Sequence, residues 1–462
     1  MVTKEEMLLA QGNIPFLFKK FAIPGIIGLL FIGLQPVVDG IILSHFIGTE
    51  ALAGVNLFMP VYTFMSASAV VVGIGCQTIV SISLGSQNYQ RAKNAFKTAF
   101  LFLVAYSLII GWIVRSNSES LSLLLGANET LLPYTRDYIS TFWIFFPFLT
   151  LLFLGDYILK ATGKPNLAVF VLGSVLTLNV ILDLLFIGLF DWGVKGAALA
   201  TGIALGSGIL IMLPGLLSTR YVVNPKEGRC SLKLLGEMTY NGSSEGLSEL
   251  SAGITVFLFN WAMMNTWGEI GVAAFTTINY LLYVGVQLFV GLSDGIIPIL
   301  SYNYGANNLR RMKETLFLGF KINASIGLLL FAVIFFGGEF LISLFFQNNS
   351  SGNVSEILQL ASTGASFCAF AFLVNGANII SSSFFTSMGC AGKSAIISLM
   401  RGLLLIVIGI LLYPKWFGDY GIWMVIPIAE GITFITCLFL IRNKAAWLFT
   451  IDKITVYNGK MA

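Results

Sequence analysis

Twelve stretches of this chain are each about twenty or more residues long and mainly apolar, near 18–45, 54–83, 93–114, 131–159, 166–189, 195–217, 239–265, 271–301, 312–346, 356–388, 394–413 and 421–441. About 20 such residues are what an α-helix needs to cross the hydrocarbon core of a bilayer. In lipid every backbone N–H and C=O needs a partner inside the protein, and a helix supplies those partners within one segment. The expectation is therefore an all-α integral membrane protein with twelve transmembrane helices. Composition agrees: 56% of the residues are hydrophobic and 10% are charged, against about 25% charged in a soluble domain. A net charge of +4 is too small for a nucleic-acid footprint.

The placement of the positive residues is more informative than their sum. With the N-terminus inside, 22 of the 26 Lys and Arg fall in cytoplasmic segments, and only Arg115, Arg136, Lys195 and Lys415 fall outside. That asymmetry is the positive-inside pattern. It predicts both termini cytoplasmic in a multi-pass protein of the cell (inner or plasma) membrane. Arg401 is counted among the cytoplasmic residues. Met1 to Ala10 are polar, and the apolar run that follows is too long for a cleavable signal peptide.

The chain also repeats itself. Between 73–93 and 293–313, at a constant offset of 220, Gly75/Gly295, Ile79/Ile299, Ser81/Ser301, Gly85/Gly305, Asn88/Asn308, Arg91/Arg311 and Lys93/Lys313 are identical. Six helices lie between equivalent points. An even number restores the membrane orientation, so the halves are parallel repeats about an axis along the membrane normal. The expected division is an N-lobe at 1–217, a cytoplasmic linker at 218–238, a C-lobe at 239–442 and a cytoplasmic tail at 443–462. Two pseudo-symmetric six-helix lobes around a central cavity would allow alternating access by a monomer.

Ionisable residues inside spanning helices cost several kcal/mol and are functional candidates. Here they are Asp39, Asp156, Asp183, Glu245, Glu249, Asp294 and Glu430. Asp39 in helix 1 and Asp183 in helix 5 each lie about six residues from the outer end, ~10 Å below the surface. Asn179 is one turn from Asp183 on the same face. Thr201 in helix 6 falls at the same depth, and the backbone of Ala197, a carbonyl candidate, is one turn before it. Such an all-oxygen set suits a hard cation such as Na+. Two carboxylates in a low dielectric also suit a proton, because ionising both is costly. Glu249, with Asn260 eleven residues later and Glu245 one turn earlier, forms a second candidate set for coupling or substrate. Asp156 is four residues before Lys160, so it is a cavity candidate and equally an i,i+4 ion pair. Met59, Tyr62, Asn375 and Asn378 are cavity candidates on helices 2 and 10, although packing is the commoner role of such residues. Pro24 and Pro36 permit helix 1 to bend; fixed kinks account for them equally well.

There is no phosphate loop, nucleophile elbow or metal-ligand spacing. His45 is the single histidine, and the five cysteines are widely scattered. The reading is a non-enzyme with no cofactor beyond a coupling ion, H+ or Na+. Its partners are the lipid bilayer and small cationic or amphiphilic molecules, with no nucleic acid.

Seven ordered segments carry a family resemblance: DGIILSHFIGTEALAGVNL (39–57), LGSQNYQRAK (84–93), ILKATGKPNLA (158–168), LNVILDLLFIGLFDWGVKGAALAT (178–201), SELSAGITVFLFN (248–260), PILSYNYGANN (298–308) and DYGIWMVIPIAE (419–430). Together they resemble the multidrug and toxic compound extrusion (MATE) family, and SELSAGI…FN its prokaryotic MepA-like branch. The resemblance implies two six-helix lobes and export of organic cations or other amphiphiles against entering H+ or Na+. It implies a cation site at Asp39, Asn179, Asp183, Thr201 and the Ala197 backbone. It also matches Glu249 to a helix 7 glutamate found in several branches. Asp156 stands where similar relatives often carry asparagine, and the helix 10 aspartate of some branches has no counterpart in 356–388. The alternative reading is a lipid-linked saccharide or other lipid flippase of the same superfamily. That function calls for a strongly cationic cavity, and few arginines fall inside the spans.

Overall fold

The computed structural model describes residues 4–217, 223–343 and 354–458, and among these no strand forms. Ten helices are long and apolar enough to cross a membrane. Val354–Ala369 and Phe372–Ser387, bent by 51° at a short break, together make an eleventh span. The twelfth is hidden in the 74-residue helix Leu232–Gly305. At Gly268 the backbone turns to φ 61°, ψ −146°, a conformation open to glycine. Phe259 and Phe275 stack across this point with ring centroids 4.8 Å apart. A straight helix would separate them by about 24 Å. The chain therefore doubles back at Gly268, and the expected twelve spans are present.

In order the spans are α1 (Ile14–Phe46), α2 (Met59–Gly85), α3 (Tyr89–Ser116), α4 (Leu132–Ala161), α5 (Pro165–Leu189), α6 (Gly193–Leu217), α7 (232–267), α8 (269–305), α9 (Leu309–Ser343), α10 (Val354–Ala369 with Phe372–Ser387), α11 (Ala391–Phe417) and α12 (Asp419–Arg442). Large apolar side chains lie bare on the surface, among them Phe336 at 81% and Leu210 at 68% exposure. A soluble monomer seldom tolerates such surfaces, whereas lipid tails cover them.

Local rules explain the breaks. In α4 the helix tightens to a 3₁₀ turn at Trp143–Phe145. Pro147, two residues later, has no N–H for the carbonyl four residues back. In contrast, α1 runs unbroken through Pro24 and Pro36. The repeat is legible in backbone detail. Gln87 and Asn307, 220 apart, both adopt positive φ, 59° and 53°. The next residue in each copy, Asn88 or Asn308, caps the following helix by accepting from the N–H of Arg91 or Arg311, at 3.1 and 3.3 Å.

Packing divides the chain into Met1–Gly246 with Ser301–Asn307, and Leu247–Leu300 with Asn308–Ala462. The division falls within α7 and not in the linker. The linker itself is shorter than the expected 218–238, because helix α7 already begins at Leu232. Residues 218–222 of that segment lie outside the described residues, as do the side chains of the tail at 443–462. The described part, 223–231, is a strap across α3. Arg229 N–H donates to Asn94 Oδ1 at 2.7 Å, Ser231 N–H donates to Thr98 Oγ1 at 3.1 Å, and Lys93 pairs with Glu227.

In the first unit α1 packs on α5, α5 on α6, and α4 on α2, α3 and α6. In the second, α9 packs on α10, and α10 and α11 pack on α12. Backbones meet closely at several points in the first unit, and one of them joins the two copies of the repeat. A Cβ on Gly85 would overlap the Tyr302 carbonyl, and one on Gly305 would overlap that of Ile82. These are the same position in the two repeats, so the crossing is reciprocal. The hydroxyls of Ser81 and Ser301, another repeat pair, are buried near it without hydrogen-bond partners.

Replacing Gly85 or Gly305 by Leu is expected to destabilise the protein by about 1–3 kcal/mol through overpacking. Gly236→Leu, where a side chain meets open space, should cost nothing. Thermal unfolding in detergent checks this, and equal midpoints for all three variants would refute the close crossing.

Candidate cation-coupling site

The packing of α1 on α5 brings Asp39 to Asp183, and the two carboxyls lie within hydrogen-bond reach of each other. An ionised carboxylate only accepts. At this separation the pair is stable when it holds a proton or a cation between its oxygens. Asn179, one turn before Asp183, donates through Nδ2 to Asp183 Oδ2 and to Thr201 Oγ1, both at 3.3 Å. That donation fixes the amide's orientation and turns Asn179 Oδ1 the other way. Asn179, Asp183 and Thr201 are all buried. Asp39 Oδ1, Asp183 Oδ1 and Asn179 Oδ1 are buried with no partner. Three uncommitted acceptor oxygens in one low-dielectric site each lack a donor or a cation.

Ala197 is buried one turn before Thr201, but α6 is continuous through it. Its carbonyl is held in the helix ladder and is not freed. Immediately after Asp183 the helix widens to a π segment, Leu184–Leu189. Such bulges recur at functional positions because they release backbone hydrogen bonding.

The sequence reading missed Tyr138 of α4, whose hydroxyl hydrogen-bonds Thr201 close to both aspartates. It lies six residues into α4, the same depth as Asp39, Asp183 and Thr201. Extending the depth argument to hydroxyls would have found it.

Beside this set lies a narrow cavity, lined by Phe31, Ile32, Gln35, Tyr62, Asp156 and further apolar residues of α4, α5 and α6. Tyr62 links it to the acid pair, because the phenol sits within the field of Asp39. Asp156 reaches the cavity while also pairing with Lys160 at 2.6 Å, both side chains almost fully buried. The two readings of Asp156 thus hold together. Met59 is half-buried and takes no part in this lining.

The second set lies along α7, with Glu245 and Glu249 one turn apart. Asn260 is about 16 Å along the helix from Glu249. Glu249 lies near Tyr283, which hydrogen-bonds Gln287.

Asn375 and Asn378 have a different role from the one expected. Their amides donate to Glu430 of α12, Asn375 Nδ2 to Oε1 at 2.8 Å and Asn378 Nδ2 to Oε2 at 2.6 Å. Arg401 donates Nε and Nη2 to Glu430 Oε1 at 3.1 and 2.9 Å. Arg401 is therefore not a cytoplasmic residue. It lies ten residues into α11, roughly 15 Å from its start, in a π segment, Met400–Leu404. The loop-counting rule assigned it by sign alone, and no loop is there.

The MatE family model matches the chain twice, over residues 24–185 and 252–411. The chain belongs to the MatE family. The two matches coincide with the two halves of the internal repeat. Members of the family are transporters and not enzymes. The chain is 23% identical to the multidrug export protein MepA of Staphylococcus aureus strain MSSA476, over 95% of this chain and 96% of that one. It is 24% identical to MepA of Staphylococcus haemolyticus, over 94% of each. Among solved structures it resembles a MATE protein in the bent conformation, with a TM-score of 0.90, 23% identity, and 98% of this chain and 100% of that one covered. It also resembles a MOP superfamily transporter from Pyrococcus furiosus described as having reversed polarity of its binding pocket, with a TM-score of 0.89, 24% identity, and 97% and 99% covered. These likenesses establish the MatE fold for this chain.

Arg401→Leu leaves Glu430 buried without its cation and is expected to cost about 3–5 kcal/mol. The double variant R401L/E430L should recover most of that loss. Thermal unfolding of the purified protein decides this, and wild-type stability of the single variant would show that the pair carries no such burden.

Proposed function

We propose that the protein is a secondary active multidrug efflux antiporter, exporting organic cations or other amphiphiles by alternating access in exchange for an entering H+ or Na+. The observation that carries the proposal is the Asp39–Asp183 pair, with three unpartnered buried oxygens, set beside a largely apolar cavity. An amphiphile finds apolar walls there with Tyr62, Gln35 and Asp156 as its polar contacts, the composition usual for small-molecule sites.

Coupling follows from α1. Pro36 removes the N–H that would bond the carbonyl of Ile32, so the ladder is weakest between Ile32 and Pro36. Phe31, Ile32 and Gln35, which line the cavity, sit at this weak stretch, and Asp39 is three residues beyond it. A cation that neutralises Asp39 and Asp183 removes their repulsion and resets α1 at its softest point. The cavity wall shifts with it, and bound substrate is released. With both termini cytoplasmic, the cation enters from outside. One charge moving down 100 mV supplies about 2.3 kcal/mol, roughly a fiftyfold concentration ratio. The buried, unpartnered hydroxyls of Ser81 and Ser301 beside the Gly85–Gly305 crossing are consistent with a closure that opens, because hydration on opening would satisfy them. Names of MepA relatives as multidrug exporters support the substrate class. Arg401 is already committed to Glu430, which argues against a cationic cavity of the flippase kind.

Asp39→Asn and Asp183→Asn are each expected to abolish gradient-driven ethidium efflux from oriented vesicles, with the protein still folded. Thr201→Ala, which removes one oxygen of the site, should lower the rate about tenfold. Imposing pH and sodium gradients separately identifies the ion. Undiminished efflux by both aspartate variants would overturn the proposal.

A further inference from the structure

A second apolar space, of about 250 Å³, lies away from the candidate cation site. Helices α3 and α6 both pack on α4 and leave a crevice over it. Phe100 of α3, Leu154 and Gly155 of α4, and Leu213 of α6 line the crevice, with Lys97 and Lys226 at its edge. It lies toward the end of the bundle where α3 begins and where α4 and α6 finish, which is the end rich in Lys and Arg. Three other cations at this end are matched: Arg91 with Glu237, Lys93 with Glu227, and Lys160 with Asp156. No carboxylate pairs with Lys97 or Lys226 among the described residues. Glu227, the sequence neighbour of Lys226, is spent on Lys93.

Lys226 is not a loose surface lysine. The strap 223–231 is tied to α3 just after it, where Arg229 and Ser231 bond Asn94 and Thr98, and within the strap the N–H of Lys226 donates to Asn224 Oδ1 at 2.9 Å. The fold thus holds two uncompensated ammonium groups at the mouth of an apolar slot opening at the membrane.

We infer that this crevice is a binding site for an anionic phospholipid, with an acyl chain along Phe100, Leu154 and Leu213 and the headgroup phosphate at Lys97 and Lys226. The ligand needs both halves. An apolar slot with lysines at its mouth matches the amphiphile that is charged at one end, and the inner leaflet supplies anionic headgroups at the basic end of the protein. Gly155 lets α6 pack close on α4 beneath the slot, since a Cβ there would overlap Met212. The lysine stems lie along apolar surface and carry their charges to the headgroup level.

The test is native mass spectrometry of the full-length protein in detergent, titrated with dioleoylphosphatidylglycerol or dioleoylphosphatidylcholine. Each lysine near anionic lipid contributes about a factor of five, so the first phosphatidylglycerol should bind roughly 30-fold more tightly than phosphatidylcholine. K97Q/K226Q should bind the two lipids equally. Leu213→Trp, which fills the slot, should weaken the first binding event for both. The lysine variant is polar and outside the packed core, so it keeps the test open if the tryptophan variant fails to fold. Equal affinity of the wild type for the two lipids, or an intact preference in K97Q/K226Q, would overturn the inference. So would competition by glycerol phosphate as strong as by the lipid, or dimers replacing lipid adducts on delipidation.

Discussion

Two carboxyl groups within hydrogen-bond reach inside a membrane protein cannot both stay charged and unaccompanied. The N-terminal half is organised around that constraint. Packing of α1 on α5 sets the pair, packing of α5 on α6 adds Asn179 and Thr201, and α4 adds Tyr138. The amide of Asn179 spends its donors on Asp183 and Thr201 and leaves its oxygen for something else. The result is a site complete in oxygens and short of positive charge.

The C-terminal half shows the opposite solution with the equivalent elements. Glu430 of α12 is as deeply buried as the aspartates. It carries its own cation in Arg401 of α11 and two amide donors from α10. Its charge is balanced inside the fold, permanently, by a side chain that cannot lose its proton. A pair that is internally balanced has no need of an ion from solution. The repeat therefore preserved the architecture and divided the electrostatics, with the charge balanced internally in one lobe and the acid pair left without a fixed cation in the other.

Mobility has its own physical marks in the first half. Pro36 loosens α1 between the cavity wall and Asp39, and a π segment follows Asp183. At the basic end, glycines bring backbones together at Gly85 and Gly305 and bury hydroxyls that find no partner. That closure lacks the dense apolar interlocking of the lobe interiors. The strap across α3 is fastened by two hydrogen bonds from its backbone N–H groups and an ion pair.

Much of this was legible in the residues alone. Apolar run length determined the twelve spans, because a helix must satisfy its backbone within one segment in lipid. The 220-residue offset determined the parallel repeat, down to the positive φ shared by Gln87 and Asn307. Depth along the helix determined that Asp39, Asp183, Asn179 and Thr201 could meet, since rise per residue is fixed. Rotation about the helix axes is not fixed by depth, and only packing decided which same-level groups meet. Tyr138 joined the site on that account. Sign counting placed Arg401 in the cytoplasm because it sees charge and not partners. Only the tertiary structure put Glu430, Asn375 and Asn378 around it and so made a buried arginine affordable in a bilayer.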